Sequence, residues 1–104
     1  MASVYIDLPF ASSSSTQSSS FVEDATVSTT PETFTAPTGA FAALIQADDT
    51  NTPNLRIKMG AAASATSGIQ FQPGRSEVYE GGTDISYCTE SGTGKISVQW
   101  FVRV

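Results

Sequence analysis

Four side chains with oxygen ligands lie in one polar stretch: Asp48, Asp49, Asn51 and Asn54. Carboxylate and amide oxygens are the ligands that Ca²⁺ prefers in proteins. A calcium loop also needs a glycine at its sharp turn and a bidentate carboxylate further on, and this stretch has neither. Asp and Asn side chains in such a turn bond to the local backbone. We therefore expect a solvated turn here and predict no metal site.

Other acidic side chains are of the type that a glycosidase uses in pairs. They lie beside turn residues, where acids are common, and they are Glu77, Glu80, Asp84 and Glu90. The chain has no histidine, so a conventional Ser-His-Asp triad cannot be built. The segment 92–95 (Gly-Thr-Gly-Lys) is similar to part of a phosphate loop, but Ile96 follows it and a strand is predicted there, not a helix. We predict no catalytic residue, no cofactor and no enzymatic activity.

Cys88 is the single cysteine, so an intrachain disulfide is excluded. A reactive thiol requires a histidine or a nearby cation, and no Lys or Arg lies close to Cys88 in the sequence. We expect a small, half-buried residue on a strand. The chain also lacks the His and Cys clusters that zinc needs.

The charge balance indicates partners other than nucleic acid or membrane. The net charge is −5, and the five basic residues form no run: Arg56, Lys58, Arg75, Lys95 and Arg103. Phosphate binding needs clustered Lys and Arg, so neither nucleic acid nor an anionic membrane surface is expected as a partner. No signal-peptide pattern and no apolar stretch of membrane-spanning length is visible. We expect a protein that is used without secretion by the general route.

The elements that must position any site are strands. In the segment 95–104, Ile96, Val98, Trp100 and Val102 alternate with polar residues, and this period of two separates the faces of a strand. The segment 40–47 is apolar on both faces, which predicts a central strand and leaves a helix as the minor alternative. Similar runs between Gly, Pro, Asn and Asp turns predict the remaining strands, at 21–29, 33–35, 55–59, 69–71, 77–79 and 83–88.

About seven to nine short strands with a turn roughly every ten residues are typical of a sandwich or small barrel. We therefore predict an all-β fold, an antiparallel β-sandwich for which a jelly-roll-like strand order is an option. Ser and Thr make up 28 of the 104 residues, a composition that favours strands over helices. A single domain of this length buries about two-thirds of its unfolded surface, so self-association would help to bury more.

The N-terminal part has a different composition from the rest. Val4, Ile6 and Leu8 alternate with polar residues before Pro9, which predicts a short strand, and a Ser-rich tract follows over 11–20. We divide the chain into an arm with a Ser-rich linker, residues 1–20, and a sandwich domain, residues 21–104. Two interpretations of the arm stay open: a flexible tether, or a segment that lies along a neighbouring subunit.

Aromatic residues indicate candidate contacts. Trp100 shares its face with Ile96 and Val98, which predicts a core position. Tyr79 and Phe101 lie on the opposite faces of their strands and are expected at exposed or interface positions. The predicted protein-contact residues are therefore Val4, Tyr5, Ile6, Leu8, Phe10 and Phe21 in the arm, with Tyr79 and Phe101 in the body.

Residues 36–102 carry a family resemblance. An apolar strand (41–47) is followed by a basic strand (54–60), a small-residue loop and a strand that ends in a Pro-Gly turn (68–74). A polar hairpin (79–85) and a terminal strand that ends in aromatics (92–101) complete the series. In this order the chain resembles the small β-sandwich virion proteins of tailed bacteriophages.

The resemblance implies a structural subunit of the virion and transfers no active-site residue. Capsid cement or decoration is its first implication, with the major capsid protein or another virion protein as partner. It also implies a homo-oligomer, with a trimer favoured, and a location in virions assembled in the host cytoplasm. The alternative is a receptor- or glycan-binding module of a head fibre or tail, whose 48–54 and 60–68 loops would cluster at one end of the sandwich.

Overall fold

The computed structural model describes the backbone of residues 17–103 and the side chains of residues 23–103. Eight strands follow one another without a helix in this part of the chain. Their bounds are β1 (Gln17–Val27), β2 (Glu32–Phe34), β3 (Ala40–Ala47), β4 (Leu55–Met59), β5 (Ile69–Phe71), β6 (Ser76–Glu80), β7 (Ile85–Thr89) and β8 (Gly94–Arg103).

The strands form two antiparallel sheets of four strands each. The first sheet has the order β1-β8-β3-β6 and the second has the order β2-β7-β4-β5. Every connection crosses from one sheet to the other except the β4–β5 hairpin. This is the strand order of an eight-stranded jelly roll, which confirms the predicted all-β sandwich and the jelly-roll option within it.

The core fills the space between the sheets and follows from the period-two pattern of the strands. Trp100 is wholly buried at its centre, and its indole N–H donates to Glu23 Oε2 over 3.0 Å. The predicted core position of Trp100 is therefore confirmed. The other large buried side chains around it come from both sheets and include Ile45, Leu55, Ile57, Phe71, Ile85, Ile96 and Val98.

The first strand begins earlier than its sequence pattern indicates. Its first residue, Gln17, lies opposite Arg103, and Ser20 lies opposite Phe101 of β8. The predicted domain boundary at residue 21 thus falls inside β1. A Ser-rich segment carries no apolar alternation, so its strand state follows from backbone pairing with β8, which any side chain allows.

The sandwich has two ends, and the chain enters at one of them. Gln17, Gly39 and Arg103 meet at this entry end, where the Arg103 N–H donates to the Gly39 carbonyl over 3.0 Å. The connections 35–39, 60–68 and 81–84 lie at the same end, and 28–31, 48–54, 72–75 and 90–93 lie at the other. The turn at 72–75 is closed by Arg75 N–H donating to the Gln72 carbonyl, and Gly74 has the positive φ predicted for a Pro-Gly turn.

Gly82, between β6 and β7, is held against the neighbouring backbone. A Cβ atom added there would lie 2.3 Å from the carbonyl oxygen of Ala40. We expect Gly82→Ala to lower the free energy of unfolding by about 1–3 kcal/mol, because the backbone of β3 or of the 81–84 turn must shift. Urea unfolding followed by circular dichroism measures this loss. The exposed Thr93→Ala variant is the control and should stay within about 0.5 kcal/mol of the parent; an equally small change for Gly82→Ala would contradict the close packing.

Candidate functional site

The outward face of the first sheet carries an apolar patch near the entry end. Ala42 and Phe101 lie opposite each other on β3 and β8, and Leu44 lies opposite Val78 on β3 and β6. Phe41 and Leu44 pack against the buried Ala42–Phe101 pair. We call these five residues the outer patch: Phe41, Ala42, Leu44, Val78 and Phe101. It is separate from the core, because Ala42, Leu44, Val78 and Phe101 alternate with the inward-facing residues of their strands and Phe41 packs against them.

Exposure within the outer patch increases towards the sheet edge. Phe101 is only 6% exposed, Phe41 and Leu44 are half-buried, and Val78 is 43% exposed. Val78 lies on β6, which pairs with β3 alone among the strands of residues 17–103. An apolar side chain beside a strand edge with unpaired backbone groups is a surface onto which another chain can add.

A cation marks the entry-end border of the outer patch. The guanidinium of Arg103 stacks on the ring of Phe41 at 4.6 Å from the ring centroid. The register of β3 and β8 shifts between Ala40 and Ala42, which places Phe41 at the irregular position. The stack covers one side of the Phe41 ring, so most of the accessible apolar surface of the patch lies towards Leu44 and Val78.

The two contact residues predicted in the body take different positions from those expected. Tyr79 lies opposite Ala43, a core residue, and packs against the margin of the core, so its predicted outward position is wrong. Phe101 does lie on the outward face, but it is buried beneath its patch neighbours and is not exposed. The exposed apolar residue of β6 is Val78, one position before Tyr79. The inward and outward positions of this strand are therefore exchanged relative to the prediction.

The outward face of the second sheet is covered by polar contacts. Glu90 accepts hydrogen bonds from Arg56 Nε over 2.6 Å and from Gln70 Nε2 over 2.8 Å, and Arg56 also donates to the Gly68 carbonyl. The backbone N–H of Ala63, in the 60–68 loop, donates to Ser86 Oγ on β7 over 2.9 Å. These contacts bury β7 on both faces, which leaves the first sheet with the more apolar outward face.

Burial of β7 extends to the lone cysteine. Cys88 is wholly buried, where a half-buried position was expected. Burial raises the pKa of the Cys88 thiol, and the nearby Arg56 opposes this only in part. A raised pKa keeps the group as a thiol, so Cys88 is a structural side chain at neutral pH.

The Glu90 contacts make stability depend on pH. Hydrogen bonds from Gln70 and Arg56 lower the pKa of Glu90 below its ordinary value of 4.5. The unfolded chain therefore binds a proton at Glu90 more tightly than the folded chain does. The stabilisation that Glu90 contributes is present at a pH above the ordinary pKa, and it is lost as the pH falls through the lowered pKa of the folded state. We expect the urea midpoint of Glu90→Gln to fall less than that of the parent between about pH 6 and about pH 3. Parallel pH dependence of the two proteins would exclude this role.

The polar loop 48–54 is held by a local contact between Thr50 and Asp48 and by contacts with β8 and Glu90. Thr50 donates its backbone N–H over 3.0 Å and its hydroxyl to Asp48 Oδ2, and these bonds lower the pKa of Asp48. Asn51 is buried and exchanges hydrogen bonds with the backbone of Lys95. Asn54 donates to Glu90 Oε1 over 3.4 Å. The predicted turn with locally bonded Asx side chains is therefore confirmed for Asp48 alone, because Asn51 is buried against β8 and Asn54 bonds to Glu90.

The carboxylates considered for catalysis are dispersed over the sandwich. Glu77 pairs with Arg75, and Asp84 accepts the Ala36 N–H over 2.8 Å at the entry end. Glu80 is exposed on the outward face of β6, whereas Glu90 lies in the second-sheet network. Within residues 17–103, no three His, Cys, Asp or Glu side chains come together as a metal-binding group.

A shallow polar groove runs over β1 and β8 near the far end. Its lining includes Asp24, Thr26, Asp48, Lys95 and Ser97, and no aromatic side chain is among its lining residues. The groove therefore offers no aromatic face on which a sugar ring could stack. It therefore gives no support to a glycan site.

The two loops proposed for receptor or glycan binding do not cluster. The 48–54 loop precedes β4 and the 60–68 loop follows it, so the two lie at opposite ends of that strand. Their expected grouping at one end is wrong, because crossing connections of a jelly roll alternate between the ends. The predicted arm contacts Val4, Tyr5, Ile6, Leu8 and Phe10 lie outside the described residues, and only the backbone of Phe21 is described, opposite Trp100.

Comparison with known proteins adds no relative. The chain matches no protein-family model, no curated protein and no solved structure. In the part of the chain that the structure describes, no helix is long and apolar enough to cross a membrane.

Proposed function

We propose that this chain is a structural virion protein of the capsid cement or decoration type. Its partner would be the major capsid protein or another virion protein. The observation that carries the proposal is the outer patch beside the edge of β6, on a jelly roll whose other outward sheet face is closed by polar contacts. Jelly rolls are common in viral capsid proteins, and the resemblance over residues 36–102 spans β3 to β8.

The chemistry of the contact would be apolar burial combined with backbone pairing. Val78 and Leu44 offer apolar surface, and the edge of β6 offers N–H and C=O groups. An added strand satisfies such groups without needing particular side chains. A chain with this surface can join neighbouring subunits of a lattice and raise the free energy needed to separate them.

Capsid stability tests this function directly. Particles assembled without the protein should release their genome at a lower temperature than complete particles, and adding the purified protein back should restore the difference. Release is followed by a dye that fluoresces on free nucleic acid. A heat-denatured sample of the protein is the matched control. Identical release temperatures with and without the protein would refute a cementing role.

A further inference from the structure

The side of the sandwich between β1 and β2 carries carboxylates on the inward faces of its strands. β1 and β2 are edge strands of the two sheets, and the connection 28–31 joins them. Glu23 lies opposite the core residue Val98, and Glu32 lies opposite the core residue Tyr87. Residues directly opposite each other in an antiparallel pair share a face, so both carboxylates are directed into the gap between the edge strands. The gap is therefore acidic.

The hydroxyl of Tyr87 lies in this gap without a partner. Tyr87 is only 4% exposed, and its ring packs on the ring of Phe34 with 4.5 Å between centroids. No group among the described residues hydrogen-bonds to the hydroxyl, whereas their wholly buried polar side-chain atoms all have partners, so the hydroxyl reaches the gap. Burial and the charges of Glu32 and Glu23 raise the pKa of Tyr87, which keeps it protonated beside them. An unpartnered phenol next to carboxylates has hydrogen-bonding capacity for a further group.

No basic side chain in the described part of the chain neutralises these carboxylates. Its ion pairs join other glutamates to arginine. Glu23 accepts the Trp100 indole N–H at Oε2 over 3.0 Å and has no described donor at Oε1. Glu32 is exposed and has no described partner. Carboxylates that share a site repel each other, and a cation between them offsets that repulsion.

The groups in the gap suit an organic cation better than a metal ion. Calcium takes about six to eight oxygen ligands, which is more than Glu23, Glu32 and Tyr87 supply. Residues 17–103 contain no group of three metal-binding side chains. A guanidinium is planar and carries N–H donors on several sides, so it can pair with carboxylates on both sides of a gap and donate to a phenol oxygen as well.

We propose that the gap between β1 and β2 receives the guanidinium of an arginine from a protein partner, with Glu23, Glu32 and Tyr87 as its hydrogen-bond acceptors. The net charge of −5 favours a partner with a basic contact surface. The inference goes beyond the proposed function, because β1 and β6 are the opposite edges of the first sheet and the outer patch lies beside β6. It holds for any protein that presents an arginine there, whether or not that protein belongs to a virion.

Trp100 is a local probe of the gap, since it is the single tryptophan and its indole N–H donates to Glu23. The isotope-labelled full chain is titrated with N-acetylarginine methylamide, and the indole cross-peak is followed in a proton–nitrogen NMR spectrum. We expect a saturable shift of this peak, which sodium chloride at equal ionic strength does not reproduce. Glu32→Gln should raise the apparent dissociation constant about tenfold, because one charge-assisted pair is lost.

Glu80→Gln is the matched control, because Glu80 is an exposed glutamate on β6, at the opposite edge of the same sheet. It should change the dissociation constant by less than about twofold, since exposed charges at that distance are screened. Equal weakening by Glu32→Gln and Glu80→Gln would overturn the inference in favour of diffuse charge attraction. The lack of a saturable shift would overturn it outright. A shift caused by calcium chloride at lower concentrations than the arginine derivative would overturn it in favour of a metal ion.

Discussion

Trp100→Ala is expected to lower the free energy of unfolding by about 3–5 kcal/mol, the usual cost of removing a large aromatic side chain from a core. Trp100 is wholly buried between the sheets, and its indole N–H is bonded to Glu23. Small domains have a total stability of about 5–15 kcal/mol, so this variant should be largely unfolded in mild denaturant.

Urea unfolding followed by far-ultraviolet circular dichroism measures the effect of Trp100→Ala without relying on the lost fluorophore. Trp100→Phe is the matched control: it keeps a ring in the core, removes the bond to Glu23, and should cost clearly less. Equal losses for the two variants would show that the hydrogen bond, and not the buried volume, dominates at this position. A loss below about 1 kcal/mol for Trp100→Ala would contradict the assigned core.

Removal of residues 1–16 is expected to abolish association with particles while leaving the sandwich folded. The truncation stops before Gln17 because β1 pairs with β8 from that residue onward. The predicted contacts Val4, Tyr5, Ile6, Leu8 and Phe10 are lost in this variant. Co-sedimentation with particles that lack the protein measures association, and circular dichroism monitors the fold.

A full-length variant with Val4, Ile6 and Leu8 replaced by Ser distinguishes the effect of the apolar side chains from the effect of the arm's length. It keeps the arm and its linker, so it should lose particle association only if the apolar row makes the contact. Undiminished association of the truncated chain would refute the role of the arm.

Much of the fold can be predicted from the sequence, because a strand with one buried face has apolar and polar residues in alternation. The bounds of β3, β4 and β5 agree with those predicted from the pattern, and the Pro-Gly turn has the expected geometry. Each of these segments has apolar residues that fix its phase and turn residues that fix its ends.

The parts that the sequence missed depend on contacts between distant segments. Gln17 to Ser20 belong to β1 because β8 pairs with their backbone. The side chains of these residues form no pattern from which this pairing could be predicted. The predicted phase of β6 is wrong because Val78 and Tyr79 are both apolar enough to face inward, and only the register with β3 decides between them. Phe101 on an outward face is similarly buried in a cluster with Phe41 and Leu44, which come from another strand.

The kind of candidate site is an expectation from the sequence, whereas its position on the sandwich follows only from the structure. From the sequence, the lack of histidine and the scattered basic residues lead us to expect protein contact and not catalysis. The outer patch itself joins β3, β6 and β8, whose residues are separated by up to sixty positions in the chain. Its location therefore follows from the jelly-roll order, which the spacing of turns alone does not determine.

Quantitative mass spectrometry of purified particles measures whether this chain is a regular component of the virion. Particles are purified from the culture that produces the protein. The amount of this chain in them is measured relative to the amount of the major capsid protein, which is the internal standard. We predict that the chain is present in a fixed, reproducible ratio to that subunit, as a regular lattice position requires. Its absence from purified particles, or a ratio that falls with each further purification step, would contradict a structural role in the virion.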